Sequence, residues 1–228
     1  MRARSHTLRL CWMMLLSSAV LPWAAAQPAV DQPAQVDAGW VLARLARPAP
    51  MRTSFVEVRE SRLLKEPLRL SGEYLRPRED TLVRQVRSPY LETTTIVSSK
   101  GDAGQATIER AGKSRTYSLT RVPELASLQS SFGAMLAGDQ ARLERDFRIA
   151  SQGTRARWTL VLTPKDAGLA TRLKQILLYG RGAELRCIET VPAKGVEVQR
   201  TLLATAARAA GDEADAAALT ALCQGETG

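Results

Sequence analysis

Between Arg52 and Thr120 the chain offers one strand-like segment after another, and a second series follows Phe147. "RTSFVEVRES" (52–61) alternates between apolar and polar positions. "LRLSGEY" (68–74) sets Leu68, Leu70, Gly72 and Tyr74 on one face and Arg69, Ser71 and Glu73 on the other. "DTLVRQVRS" (80–88) and "YLETTTIVSS" (90–99) come next, the second rich in β-branched residues. "QATIER" (105–110) and "SRTYSLT" (114–120) read as a hairpin around "AGK". The later series is "FRIASQG" (147–153), "ARWTLVLTP" (156–164), "KQILLYG" (174–180), "AELRCIETV" (183–191) and "VEVQRTLLA" (196–204). Many short strands separated by turns imply a mainly β chain with helices (α+β): about ten strands in a large antiparallel sheet curled towards a barrel.

Helical periodicity is confined to a few places. Asp37 can cap "AGWVLARLA" (38–46), with Trp40, Val41 and Leu45 at helical spacing and Pro48 and Pro50 beyond its end. "PELASLQSSFGAMLAG" (123–138) starts at Pro123, carries Leu125, Leu128, Phe132, Met135 and Leu136 on one stripe, and stops at Gly138. "DQARLERD" (139–146) reads as a short helix capped by Asp139, and the Ala-rich tail as partly helical. These helices are few for the area of sheet they must cover. The inner face is therefore filled by helices, by its own side chains, or by a ligand. Alternation makes Leu70, Leu82, Trp158, Leu160, Leu162, Ile176 and Leu178 the cavity candidates, and ordinary core packing is open to each of them.

The first segment reads as a secretory signal peptide. Arg2, Arg4 and Arg9 precede the apolar run Cys11 to Leu21, and Ala24, Ala25 and Ala26 offer a cleavage site before Gln27. A membrane anchor is the alternative, but the run is short of the roughly 20 apolar residues that span a bilayer. The expected organisation is a signal peptide over 1–26, a flexible Pro- and Gln-rich leader over 27–36, a main folded domain over 37–206 and an Ala-rich tail over 207–228. Cleavage removes three of the 32 bases and no acid, leaving 29 against 23. That mild excess suits anionic partners such as lipid headgroups; it forms no long basic run, and no nucleic-acid partner is expected.

Cleavage also removes His6, the only histidine. Ser-His-Asp and Cys-His catalysis then have no base, and zinc loses its commonest ligand, so no metal and no cofactor is expected. Cys187 and Cys223 remain; they can pair in an oxidising compartment or stay as two thiols. "AGKS" (111–114) lacks the glycine of a phosphate loop, because Thr107 stands in its place. Glu57, Glu60, Asp80 and Glu92 can in principle pair as acid and base, but charges on outward strand faces are usually only solvated. The chain reads as a binder, not an enzyme. A lipid fits: a sixteen-carbon chain needs roughly 12 kcal/mol of shielding from water, and aliphatic walls supply it.

Several segments in order resemble one known family. They are the helix leading into "SFVEVRES", "GEYLRP", "WTLVLTPKD" (Trp158 to Asp166) and "LKQILLYGRGAELRCIE". The region Ala38 to Ala206 resembles the LolA family, periplasmic carriers of outer-membrane lipoproteins in Gram-negative bacteria. The resemblance implies an unclosed half-barrel under a helical lid, with an apolar cavity for acyl chains. It implies a monomer in the periplasm that receives an acylated lipoprotein or lipid from an inner-membrane ABC-type release complex or lipid exporter and passes it to an outer-membrane acceptor. It assigns Arg76, beside Pro77, to a contact that holds the helical lid closed, with Pro77 ending the strand's ladder. Gly72 to Arg76 is shorter than in the best-known members, so Arg78 or Arg84 is near enough to substitute. "TTTIVSSKGDAGQATIERAGKS" has no aromatic residue where the family's central hairpin is aromatic-rich, which marks a divergent branch. Related carriers serve glycolipid or aryl-polyene-lipid export, and a lipid-responsive envelope sensor is a rival use of the same fold.

Overall fold

The computed structural model describes residues 35–59, 65–98, 104–121, 133–195, 197–211 and 215–225. Its strands are β1 (Met51–Arg59), β2 (Leu68–Arg78), β3 (Thr81–Ser88), β4 (Glu92–Val97), β5 (Gln105–Arg110) and β6 (Lys113–Ser118). After a helical region follow β7 (Phe147–Gly153), β8 (Trp158–Pro164), β9 (Leu173–Arg181), β10 (Glu184–Pro192) and β11 (Gln199–Leu203). They form one antiparallel sheet in the order β6-β5-β4-β3-β2-β1-β11-β10-β9-β8-β7. Sequence neighbours pair with each other within each half. The two halves join where β1 meets β11, with Phe55 opposite Leu203.

β6 and β7 are the free edges, so the sheet is unclosed. β6, "KSRTYS", is mostly exposed and carries Lys113 and Arg115, which discourages edge-to-edge pairing. β7 is partly covered: Gln35 bridges Thr154, and the Val36 N–H donates to the Gly153 carbonyl at 3.1 Å. The last two residues of the Pro- and Gln-rich leader are thus built into the fold, with Val36 buried.

The helices are α1 (Ala38–Leu45), α2 (Gln140–Asp146), α3 (Ala167–Ala170), α4 (Ala204–Ala209) and α5 (Ala216–Gln224), and residues 133–137 are also helical. Side-chain caps start four of them. Asp37 accepts from the Trp40 N–H at 2.8 Å, Asp139 from Arg142 at 2.9 Å, Asp166 from Leu169 at 2.7 Å and Asp215 from Ala218 at 2.7 Å. α1 lays Val41, Leu42 and Leu45 on the inner face, in one cluster with Leu143, Phe147, Trp158 and Leu160. α4 and α5 cover the opposite face. There Val56, Val58 and Leu202 pack against Ala206, Ala207 and Leu219. Cys187 on β10 is joined to Cys223 on α5, closing a loop of 36 residues' separation.

β1 is consequently buried on both sides, and Phe55, Val56, Glu57 and Val58 are all buried in succession. β2 departs from expectation. It does not stop at Arg76 but runs through Pro77 to Arg78. Pairing with β1 ends at Arg76 opposite Met51, and β3 alone carries the strand on, with an irregular register between Leu75 and Arg78. Pro77 therefore ends one ladder and not the strand, as befits a residue with no N–H to donate.

Candidate functional site

Nine strands separate β5 from β8 inclusive, roughly 38 Å across a flat sheet at about 4.8 Å per step. Yet Ile108 of β5 and Leu162 of β8 line the same cavity of about 440 Å³. The sheet is thus strongly curled, and the cavity is the hollow of the curl. Its volume falls within the range of roughly 300–1,000 Å³ usual for small-molecule sites.

Two aliphatic walls face each other. Leu82, Ile96 and Ile108 come from β3, β4 and β5, and Leu162, Ile176, Leu178 and Ile188 from β8, β9 and β10. Met135, from the helical residues 133–137, lies over them. Of the residues expected from alternation, Leu82, Leu162, Ile176 and Leu178 line the hollow. Leu70, Trp158 and Leu160 do not. Leu70 is packed among Phe55, Val86 and Leu203. Trp158 and Leu160 belong to the core beneath α1, and the indole N–H of Trp158 donates to the Gly182 carbonyl at 3.0 Å. These three lie on the correct face, but neighbouring elements cover it there. Leu136 is buried without reaching the cavity. Leu125, Leu128, Phe132 and Glu60 lie outside the described residues.

The centre of the hollow is charged, which sequence reasoning missed. Glu57 is only 1% exposed and lines the cavity. Its Oε1 accepts from Arg59 Nε at 2.6 Å and from an Arg84 terminal nitrogen at 3.2 Å, and its Oε2 from the Thr201 hydroxyl at 3.4 Å. Arg84 also reaches Glu92 at 3.7 Å, which Arg110 approaches at 3.7 Å from the other side. Gly72 makes this arrangement possible. A Cβ there would lie 1.8 Å from the Gln85 carbonyl oxygen and 3.1 Å from the Phe55 ring. With none present, Phe55 lies against the strand, meets the Tyr74 ring at a tilt with centroids 4.8 Å apart, and supports the Arg84 guanidinium 4.8 Å above its own centroid.

The electrostatics follow the geometry. Burial, and next the charge of Glu57, push the Tyr74 hydroxyl up to about 12. Burial opposes the Arg84 cation, but Glu57 and Tyr74 outweigh it and hold its pKa above the ordinary arginine value. Asp80 is an exposed turn residue, held below the usual carboxylate range chiefly by the Thr81 hydroxyl.

Arg76 is buried beside α1. One terminal nitrogen donates to the Arg47 carbonyl at 2.7 Å, and the other pairs with the Glu79 carboxylate. Arg47 follows α1, and its own N–H donates to the Leu136 carbonyl at 2.8 Å. Arg76 therefore reaches the helical residues 133–137 through the Arg47 backbone and not, among the described residues, directly. Arg78 and Arg84 do not stand in for it: Arg78 is an exposed partner of Asp80 and Thr81, and Arg84 lies in the cavity. Pro77 is exposed.

A family model described as outer membrane lipoprotein carrier protein LolA-like matches residues 30–226. Among solved structures, the chain is similar to the LolA superfamily protein NE2245 from Nitrosomonas europaea, at 10% identity and a TM-score of 0.40 over 75% of this chain and 92% of that one. It is also similar to LprF from Mycobacterium bovis, at 12% identity and a TM-score of 0.31 over 73% of this chain and 89% of that one. Among curated proteins, none matches the chain. The unclosed eleven-stranded sheet with its hollow is the architecture that the resemblance implied, and the family match extends over nearly all of it. The chain belongs to the LolA-like family of outer membrane lipoprotein carrier proteins.

Proposed function

We propose that this protein is an exported carrier that shelters the hydrocarbon of an acylated lipoprotein or lipid between the inner and outer membranes. The observation that carries the reading is the hollow itself, about 440 Å³ between two facing aliphatic walls and left open among the described residues. Apolar surface is favourable to remove from water at about 25 cal/mol per Å², so such walls take hydrocarbon without demanding a particular hydrogen-bond code. The pattern of residues 1–26 supports export, and Gln35 and Val36, shortly after the expected cleavage site, are paired into the fold. The hollow's carboxylates are matched by arginines, an arrangement suited to holding a ligand in place and not to cycling a proton.

Loading requires the Met135 segment to give way. Arg76, through the Arg47 backbone, anchors that segment and so sets the ease of opening. On this reading an inner-membrane release complex supplies the cargo and an outer-membrane acceptor removes it. Purification of the secreted chain under non-denaturing conditions, followed by native mass spectrometry, tests the proposal. A co-purifying acylated species is expected. A chain that is lipid-free and takes up no acylated ligand when one is offered overturns it.

A further inference from the structure

The cavity wall is graded across the sheet. Arg59 of β1 lies opposite Gln199 of β11, Gln199 opposite Thr190 of β10, Thr190 opposite Ile176 of β9, and Ile176 opposite Leu162 of β8. One level along, Glu57 lies opposite Thr201, Thr201 opposite Ile188, Ile188 opposite Leu178, and Leu178 opposite Leu160. Directly paired residues project from the same face. Both rows therefore run from charge at β1, through hydroxyl or amide, to aliphatic side chains at β8. Four inter-strand steps of about 4.8 Å give the gradient a length of roughly 19 Å along the sheet.

Bare hydrocarbon is a poor guest for the charged end. Covering Glu57, Arg59 and Arg84 with methylene groups would strip water from an ion cluster and return no hydrogen bond. Arg59 sits at the rim, its side chain 45% exposed. Its Nε–H is committed to Glu57, and among the described residues nothing accepts from its two terminal nitrogens. Arg84, by contrast, is shared between Glu57 and Glu92.

Resting on the carrier reading, we propose that the hollow receives a single-chain amphiphile with an anionic head, carboxylate or phosphate. The head sits on the terminal nitrogens of Arg59, flanked by Gln199 and Thr190. The chain crosses β10, β9 and β8 towards Ile176 and Leu162, beneath Met135. The cargo's polar end is thus bound inside the rim and not left in solvent.

Displacement of N-phenyl-1-naphthylamine by palmitate, hexadecyl phosphate and monopalmitoylglycerol tests this. At least one anion is expected to bind about tenfold or more tightly than the neutral ester, as befits a charge-assisted bond. The better of the two anions identifies the head. Arg59→Gln should remove that advantage while the protein, still folded at the assay temperature by circular dichroism, takes up monopalmitoylglycerol, and Arg59→Lys, which keeps the charge beside Glu57, should keep part of it. Gln199→Leu provides a second variant that should weaken the anion alone. Equal affinity for all three ligands, or an advantage that survives Arg59→Gln, overturns the head-group assignment and leaves the carrier reading standing. Failure of all three ligands to bind removes the carrier reading as well.

Discussion

Arg76 and Arg47 are joined by a guanidinium-to-carbonyl hydrogen bond of 2.7 Å, buried beside the turn that follows α1. The Arg47 N–H, in the preceding peptide unit, donates to the Leu136 carbonyl at 2.8 Å, so the backbone of one residue couples the end of β2 to the helical residues beside Met135. Arg76→Leu removes the charge-assisted bond, worth roughly 1.5–3 kcal/mol, and frees the Arg47 carbonyl. Dissociation of a bound acyl probe should quicken by about tenfold while the far-ultraviolet spectrum stays unchanged. Stopped-flow measurement of probe release checks this, and an unaltered rate would remove Arg76 from any part in gating.

Ile176 lies at the apolar end of the cavity wall, where added volume has nowhere to go but the hollow. Ile176→Trp should lower acyl-probe affinity by at least about tenfold and change the melting temperature little, since the added ring fills space and removes no contact. Fluorescence titration and a thermal melt, run side by side, separate blocked binding from misfolding.

The raised Tyr74 hydroxyl makes stability depend on alkaline pH. Its folded value of about 12 exceeds the ordinary 10.0, so the folded chain keeps a proton that the unfolded chain gives up. That contribution is fully present below pH 10 and is lost as pH rises through 12, with a total of up to roughly 2–3 kcal/mol. Urea midpoints should fall over this window, and the slope should flatten in Tyr74→Phe.

The Cys187–Cys223 bridge closes a loop of 36 residues' separation and fastens α5 to β10. Its loss should cost up to about 4 kcal/mol on the loop-entropy argument. Reductant should lower the melting temperature of the wild type and leave a Cys187→Ala, Cys223→Ala variant unmoved. Acyl-probe affinity should persist in the reduced protein below its melt, because the bridge lies on the face away from the hollow.

Gly72 allows the closest approach beside the site, with no room for a Cβ against the Gln85 carbonyl. Gly72→Ala must push β2 and β3 apart or displace Phe55, at a cost of about 1–3 kcal/mol or more. A chemical-denaturation curve measures the loss, and an unchanged midpoint would show that the strands yield freely there.

The strands were legible because turns separate them and alternation persists wherever one face is wet. "LRLSGEY" gave its inward set correctly: Leu68, Leu70 and Tyr74 share one cluster. Alternation reports a face, however, and not what lies above it. Leu160 and Leu162 share a face two residues apart and both join the core beneath α1, yet only Leu162 also lines the hollow. β1 defeats the pattern altogether. With helices behind it and the hollow in front, Phe55 to Val58 are all buried, so Glu57 reads as a solvated charge when it is the centre of an ion cluster. Only cross-strand register, invisible in a single sequence, brings Arg84 to it.

The pairing of Phe55 with Leu203 has a consequence for how the chain must mature. A polypeptide delivered amino end first can zip its early hairpins as they emerge, but the seam at β1 stays open until the last strand arrives. Until then two half-formed blankets wait with bare selvedges, one along β1 and the other along β10. Closure over so long a span of sequence is slow, since the entropy of looping must be overcome before any contact rewards it. A chain cut short before Gln199 would therefore be not a smaller carrier but a pair of sticky remnants, fit only for degradation or aggregation.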